Sequence, residues 1–211
     1  MKLTKYGHAC VALEESGKRL VIDPGAFTSE FGGTANIIAV VVTHAHGDHC
    51  SAEYLDAIFA VNPDAVLYTT QEVIDNYPQS NARAVHDGQR ETVGPFTLEF
   101  SGDLHAINHQ SIPQIHNTAV CVNDSFFYPG DSFTPPKLPV AVLAVPTNAP
   151  WARASESMDY ITQVKPERCF GTHDALLSGA GLNVYESHLQ QAATAAGVQY
   201  EPLRPGDTIT I

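Results

Sequence analysis

The segment AVVVTHAHGDHC, residues 39 to 50, places His44, His46, Asp48 and His49 within six positions, directly after a run of β-branched residues. Neutral imidazole nitrogen and carboxylate oxygen suit zinc, and also iron or manganese. Residues two apart in an extended segment point the same way, so His44 and His46 can offer their rings to one cation. Asp48 and His49 fall at the turn into the next element and can face a second cation beside the first. Gly47 is expected to let the backbone bend sharply between the two pairs. The bland alternative is a surface turn that happens to hold histidines. Burying four such side chains without a metal would cost about 1–3 kcal/mol each.

Four residues do not complete two sites, so further ligands are expected at strand ends, where the backbone is held firmly. FSGDLHAINHQ follows one apolar strand and offers His105 and His109, with His116 a little beyond. FFYPGDSF offers Asp131, and CFGTHDA offers His173 with Asp174 beside it. His105 sits nearest the end of its strand and is preferred over His109 and His116. His86 and His188 read as surface residues.

The elements that must position these groups alternate between strands and helices. A hairpin is expected over ACVALEESGKRLVIDPG with its turn at Glu15 to Lys18, and a buried strand over residues 37–42. A helix is expected from Ser51, a strand in DAVLYTT and a short helix in TQEVIDNY. Strands follow at 82–85, 90–93 and 96–100, with a turn at His86, Asp87 and Gly88. A hairpin turns at Asn123 and Asp124, and VAVLAVP is a buried strand. Residues 154–165 read as a helix, 168–172 as a strand, 185–196 as a helix, and the last stretch as strands. Two similar halves of this kind imply α/β layers in one domain over residues 1–211.

Composition narrows the function. The net charge of −12 disfavours nucleic acid as a partner. Cys10, Cys50, Cys121 and Cys169 form no CxxC pair and read as reduced thiols of a cytoplasmic protein. No signal peptide is visible at the N-terminus, and no apolar run is long enough to span a membrane. Oligomeric state has no signature in the chain.

The motif H-x-H-x-D-H at 44–49, with Asp23 in VIDPG upstream and His105, Asp131 and His173 downstream in order, resembles the metallo-β-lactamase superfamily. The opening YGHACVALEESGKRLVIDPG and the lack of an H-T-P-G-H segment make the chain similar to the compact lactonase-like branch, which includes the ascorbate-6-phosphate lactonases. It looks unlike the glyoxalase II and true β-lactamase branches. The resemblance implies a four-layer αβ/βα sandwich with the site at one edge. It implies one metal on His44, His46 and His105, a second on Asp48, His49 and His173, and Asp131 bridging them. Two divalent ions are implied, zinc first, with manganese or iron as alternatives. A hydroxide between two such ions is a nucleophile at neutral pH, because each lowers the pKa of bound water from about 15.7 toward about 7. Asp48 and Asp131 are the catalytic carboxylates of this reading, with Asp48 placed to orient the hydroxide or to take a proton. Asp23 would hold a ligand or a loop from behind. His8, His109, Trp151 and Asp174 are candidates for the pocket or for supporting ligands, each with a purely structural alternative.

The expected activity is metal-dependent hydrolysis of a small, polar ester- or lactone-type substrate. Two other classes compete. One is a phosphodiesterase or nuclease of the same fold, for which the chain lacks basic charge. The other is a mononuclear iron dioxygenase. Diiron oxygen-reducing relatives usually carry Glu where this chain has His46, which argues against that branch.

Overall fold

The computed structural model describes the 211-residue chain apart from residues 30 and 32. Two seven-stranded sheets form, each holding almost one half of the chain. The first contains β1 (Lys2–Lys5), β2 (Val11–Glu15), β3 (Lys18–Ile22), β4 (Ile37–Val42), β5 (Val66–Thr69) and β6 (Ala82–Ala84). The second contains β7 (Arg90–Val93), β8 (Phe96–Ser101), β9 (Ala119–Val122), β10 (Phe126–Tyr128), β11 (Val142–Pro146), β12 (Arg168–Thr172) and β13 (Gln199–Tyr200). The last strand, β14 (Thr208–Thr210), returns to pair antiparallel with β1.

The two halves repeat one pattern, as the alternation of elements predicts. The orders are β14-β1-β2-β3-β4-β5-β6 and β13-β12-β11-β10-β9-β8-β7. In each sheet three antiparallel pairings are followed by three parallel ones. Parallel pairing needs crossovers, and helices supply most of them: α1 (Ala52–Val61), α2 (Gln71–Asn76), α3 (Ala154–Val164) and α4 (Gly179–Ala196).

Burial sets the layers. Leu3, Leu13, Leu20 and Ile22 of the first sheet pack with Phe96, Phe100, Phe126 and Phe170 of the second in one cluster between the sheets. The opposite faces are covered by helices. Val21, Val40 and Val42 pack on Leu55 and Ile58 of α1, and Leu143 and Val145 pack on Ile161 of α3 and Leu189 of α4. Helix, sheet, sheet, helix is the expected four-layer αβ/βα sandwich. Strands buried on both faces explain why IIAVVV and VLAVP read as unbroken apolar runs.

One boundary differs from the sequence reading. Helix α4 begins at Gly179, six residues before the expected start at 185. Gly179 and Gly181 in its first turn mask the helical pattern, but Ser178 Oγ accepts the Gly181 N–H at 3.1 Å and caps it. The Asn123–Asp124 turn is as expected, with φ of +52° and +49° at the two residues. Among the described residues no helix is long and apolar enough to cross a membrane.

Candidate metal centre

The candidate residues collect beyond the C-terminal ends of β3, β4, β8, β10 and β12, at one edge of the sandwich. Two groups result. His44, His46, His105 and Asp131 place one donor atom each within 4.8 Å of one another, and so do His8, Asp48, His49 and His173. The rings of the first group form a near-equilateral triangle, with centroids 4.8 Å (His44–His46), 5.0 Å (His44–His105) and 4.8 Å (His46–His105) apart. His44 Nε2 and His46 Nδ1 face each other at 3.1 Å.

Asp131 stands between the groups. Its Oδ1 lies 3.1 Å from His49 Nε2, and its Oδ2 lies 3.1 Å from His173 Nε2, 3.3 Å from His105 Nε2 and 3.8 Å from His44 Nε2. Its backbone is fixed by Asn117, whose side-chain Oδ1 accepts the Asp131 N–H at 2.9 Å. Gly130 makes that approach feasible: it has φ of +62°, and a Cβ there would fall 2.3 Å from Asn117 Oδ1.

The far nitrogens of the rings decide the near ones. His49 Nδ1 donates to Asp23 Oδ2 at 2.7 Å, His105 Nδ1 to the Ala106 carbonyl at 2.5 Å, and His173 Nδ1 to the Asn148 carbonyl at 2.7 Å. Thr43 gives its hydroxyl proton to Asp23 Oδ2 at 2.7 Å, so its oxygen accepts from His44 Nδ1 at 3.0 Å. In its neutral form each of these four rings therefore keeps its proton on Nδ1 and turns Nε2 toward the centre. Asp23 bonds His49 and Thr43 from outside the cluster. Thr43 also donates its backbone N–H to Asp23 Oδ1 at 2.7 Å.

Charge and burial act in opposition here. Burial and the neighbouring His49 hold His44 well below the ordinary imidazole range. Burial opposes the charge of His49 too, but the carboxylates of Asp131 and Asp23 outweigh it and hold that ring well above the range. His173 is pushed up to about 9, where the nearby carboxylates of Asp131 and Asp48 outweigh burial. Asp131 stays far below the usual carboxylate range because the surrounding histidines overcome its desolvation.

The donor set fits metal ions. His49 Nε2, His105 Nε2, His173 Nε2 and Asp131 Oδ1 are buried and have no hydrogen-bond partner. Unsatisfied buried polar atoms cost about 1–3 kcal/mol each, and native structures rarely keep several together without a ligand. All four converge on the same space.

The loop carrying Asp48 and His49 is braced by the Asp23 loop. Ala26 N–H bonds the Gly47 carbonyl at 2.8 Å, and a Cβ on Gly25 would fall 1.7 Å from the Asp48 carbonyl oxygen. Gly47 itself has open space around it and no left-handed φ. The chain does turn at 47–49, where the His49 N–H bonds the His46 carbonyl at 3.0 Å, but the turn does not require a glycine at 47, and the close approach that does require one is at Gly25.

The remaining candidates divide. His105 enters the cluster, whereas His109 is exposed and bonded to Ser111, and His116 is exposed and paired with Asp103 at 2.9 Å. His86 and His188 are exposed, as expected. Trp151 is no plain wall residue: its Nε1–H donates to Asp131 Oδ2 at 2.9 Å. Asp174 does not reach the His173 ring. It pairs with the buried Lys5 at 2.5 Å, and Lys5 also donates to the Gly171 carbonyl at 2.8 Å. Sequence reasoning missed Thr43, Asn117 and the two carbonyls of Ala106 and Asn148. Only Asn117 carries a readable signal, as a polar residue preceding a strand.

Comparison with known proteins bears on the family and the fold. The Beta-lactamase superfamily domain matches residues 2–173. The chain is similar to protein Rv0786c of Mycobacterium tuberculosis, with 34% identity over 92% of this chain and 93% of that one. It is also similar to a UPF0173 metal-dependent hydrolase of Flavobacterium johnsoniae, 35% identical over 54% of this chain and 51% of the other. The structure of Igni18, a metallo hydrolase from Ignicoccus hospitalis, superposes with a TM-score of 0.75 at 18% identity, covering 99% and 97% of the two chains. With the family match extending from β1 through His173, the chain belongs to the β-lactamase superfamily and has the metallo-β-lactamase fold.

Proposed function

We propose that this metal-dependent hydrolase holds two divalent cations, zinc first, and cleaves an ester- or lactone-type bond in a small molecule. The convergence of four buried, unpartnered donor atoms on one space carries the reading. His44, His46 and His105 would hold one ion, Asp48, His49 and His173 the other, with Asp131 shared. Such ions lower the pKa of bound water toward about 7 and polarise a carbonyl oxygen. The chain's own residues do the rest. Asp131, clamped by Trp151 and Asn117, keeps the two groups in register. Asp48 is the most exposed member of the second group, with its side chain 22% exposed, and would orient the nucleophile or take a proton.

The rim refines the substrate. A small cleft beside His46 and His105 is lined mainly by Ile107, Ile112 and Ile115, with Asn108 and Gln114 as its polar members. Ile107 and Ile112 are 64% and 55% exposed, and Phe27, 45% exposed, stands against His8 with ring centroids 5.2 Å apart. Among the described residues no Lys or Arg bonds to any of the eight cluster residues. The nearby Lys5 is neutralised by Asp174. This favours a substrate with a hydrocarbon part beside its hydrolysable group, less polar than the sequence suggested, over a phosphorylated or polymeric one.

The test is metal analysis of the purified protein together with turnover of esters and lactones of graded alkyl length, model phosphodiesters and single-stranded RNA. Cation-dependent lactone or ester turnover is expected, lost in D48A and D131A with circular dichroism unchanged. RNA or a phosphodiester turned over at higher kcat/KM, or dioxygen consumption by a protein holding one iron, would replace the reading.

A further inference from the structure

His8 is 1% exposed and has φ of +39°, a conformation that a side chain other than glycine adopts only when its surroundings hold it. The hold is reciprocal. The His8 carbonyl accepts the His173 N–H at 2.9 Å, and the His8 ring Nδ1 accepts the Ala175 N–H at 3.2 Å. Two bonds thus join the first loop of the chain to the loop that carries His173.

The second bond settles the ring's tautomer. A nitrogen that accepts from an amide bears no proton, so in neutral His8 the proton sits on Nε2. That atom lies 3.1 Å from Asp48 Oδ2 and donates to it. The four ring-oriented ligand candidates have the opposite arrangement: Nδ1 of His44, His49, His105 and His173 donates, leaving Nε2 free for a metal. By distance alone His8 would be a fourth ligand of the second group. Its proton points the other way.

We propose that His8 is not a metal ligand but a positioning residue, donating Nε2–H to Asp48 and so fixing that carboxylate for the second cation. The inference rests on the two-cation reading above. Asp48 needs such a donor. The other ring nitrogens near its Oδ2, those of His173 at 3.4 Å and His49 at 3.9 Å, have no proton to give once they ligate. Donors that orient a ligating carboxylate typically matter by about 10- to 100-fold in metal affinity.

Two variants and one direct measurement test this. H8Q keeps an N–H donor near the Nε2 position without an imidazole, and H8A removes the donor. Stepwise Zn²⁺ affinities from chelator competition, and the visible spectrum of the Co²⁺-loaded protein, are recorded for each. H8A is expected to weaken the second cation about 10-fold or more, with the first unchanged and the Co²⁺ bands unmoved at saturation. H8Q should restore most of that loss. Equal loss of the second cation in both variants, or a Co²⁺ spectrum altered alike in both, would make His8 a ligand and overturn the proposal. Unchanged affinity in H8A would overturn it too. If H8A fails to fold, ¹⁵N NMR of the wild-type ring decides. His8 Nε2 should stay protonated through the addition of two equivalents of Zn²⁺, and loss of that proton on loading overturns the proposal. Wild type taking up fewer than two cations per chain is a separate result: it defeats the two-cation reading itself, and the His8 role with it.

Discussion

Trp151 donates its indole N–H to Asp131 Oδ2 at 2.9 Å, the same oxygen that lies 3.1 Å from His173 Nε2. The chain's one tryptophan thus fixes the carboxylate that stands between the two histidine groups, while its ring packs edge-on near His105 and Phe133.

Replacing Trp151 with Phe separates these contributions. The aromatic contacts survive in large part and the N–H is lost. Removing a hydrogen bond to a charged group costs about 1.5–3 kcal/mol. A fall in cation affinity of about tenfold or more is expected, with secondary structure intact, read by chelator competition and circular dichroism. An affinity equal to wild type would mean that Asp131 needs no clamp.

Gly25→Ala tests the brace beneath Asp48. A methyl group there falls 1.7 Å from the Asp48 carbonyl oxygen, and that neighbour is backbone, which cannot rotate away. Overpacking of this kind costs about 1–3 kcal/mol, and the strain falls on the loop holding Asp48 and His49. The expected result is a lowered melting temperature with selective loss of the second cation. Gly47→Ala, in open space, should be close to neutral in both assays. Equal effects of the two substitutions would contradict the assignment of the constraint to Gly25.

The clustering of the candidate residues was legible because residue type and place coincide: His44, His46, Asp48, His49, Asp131 and His173 each follow an apolar strand, and the strands are legible by their unbroken runs. What supports them was much less so. The carbonyls of Ala106 and Asn148 have no side-chain signature at all. Thr43 looks like the tail of a β run, yet its hydroxyl links Asp23 to His44. The opposite roles of His8 and His173 depend on which backbone groups face their Nδ1 atoms, and that is created only when the loop after β1 meets the loop between β12 and α4. Helix α4 was shortened by its glycines, and the brace at Gly25 went unread because a glycine within the motif is visible whereas a contact between loops is not.

His105 and His109 give a paired test of the third ligand. His105 is buried in the cluster with an unpartnered Nε2, and His109 is exposed and bonded to Ser111. H105A should remove the first cation and abolish turnover, whereas H109A should retain the cation stoichiometry of wild type. Elemental analysis of both after identical purification reads the difference. Cation loss in H109A would show that its loop folds inward when loaded.

Thermal stability should track metal occupancy without depending on it entirely. The main core lies between the sheets, where Leu13, Leu20, Phe100 and Phe126 are fully buried without contribution from the ligand cluster. The cluster, in contrast, gathers buried donor atoms without hydrogen-bond partners, which bound cations would satisfy. A ligand that binds only the folded chain stabilises it by about 2.7 kcal/mol at a hundred times its Kd. For a chain of this size that is roughly a 5–10 °C rise in melting temperature. Chelation should therefore lower Tm by an amount of that order and abolish turnover, while far-ultraviolet circular dichroism at 25 °C stays unchanged, and added Zn²⁺ should restore both. Complete loss of secondary structure on chelation would instead make the cations part of the fold, and an unchanged Tm would mean the donor atoms hold no ion in the folded chain.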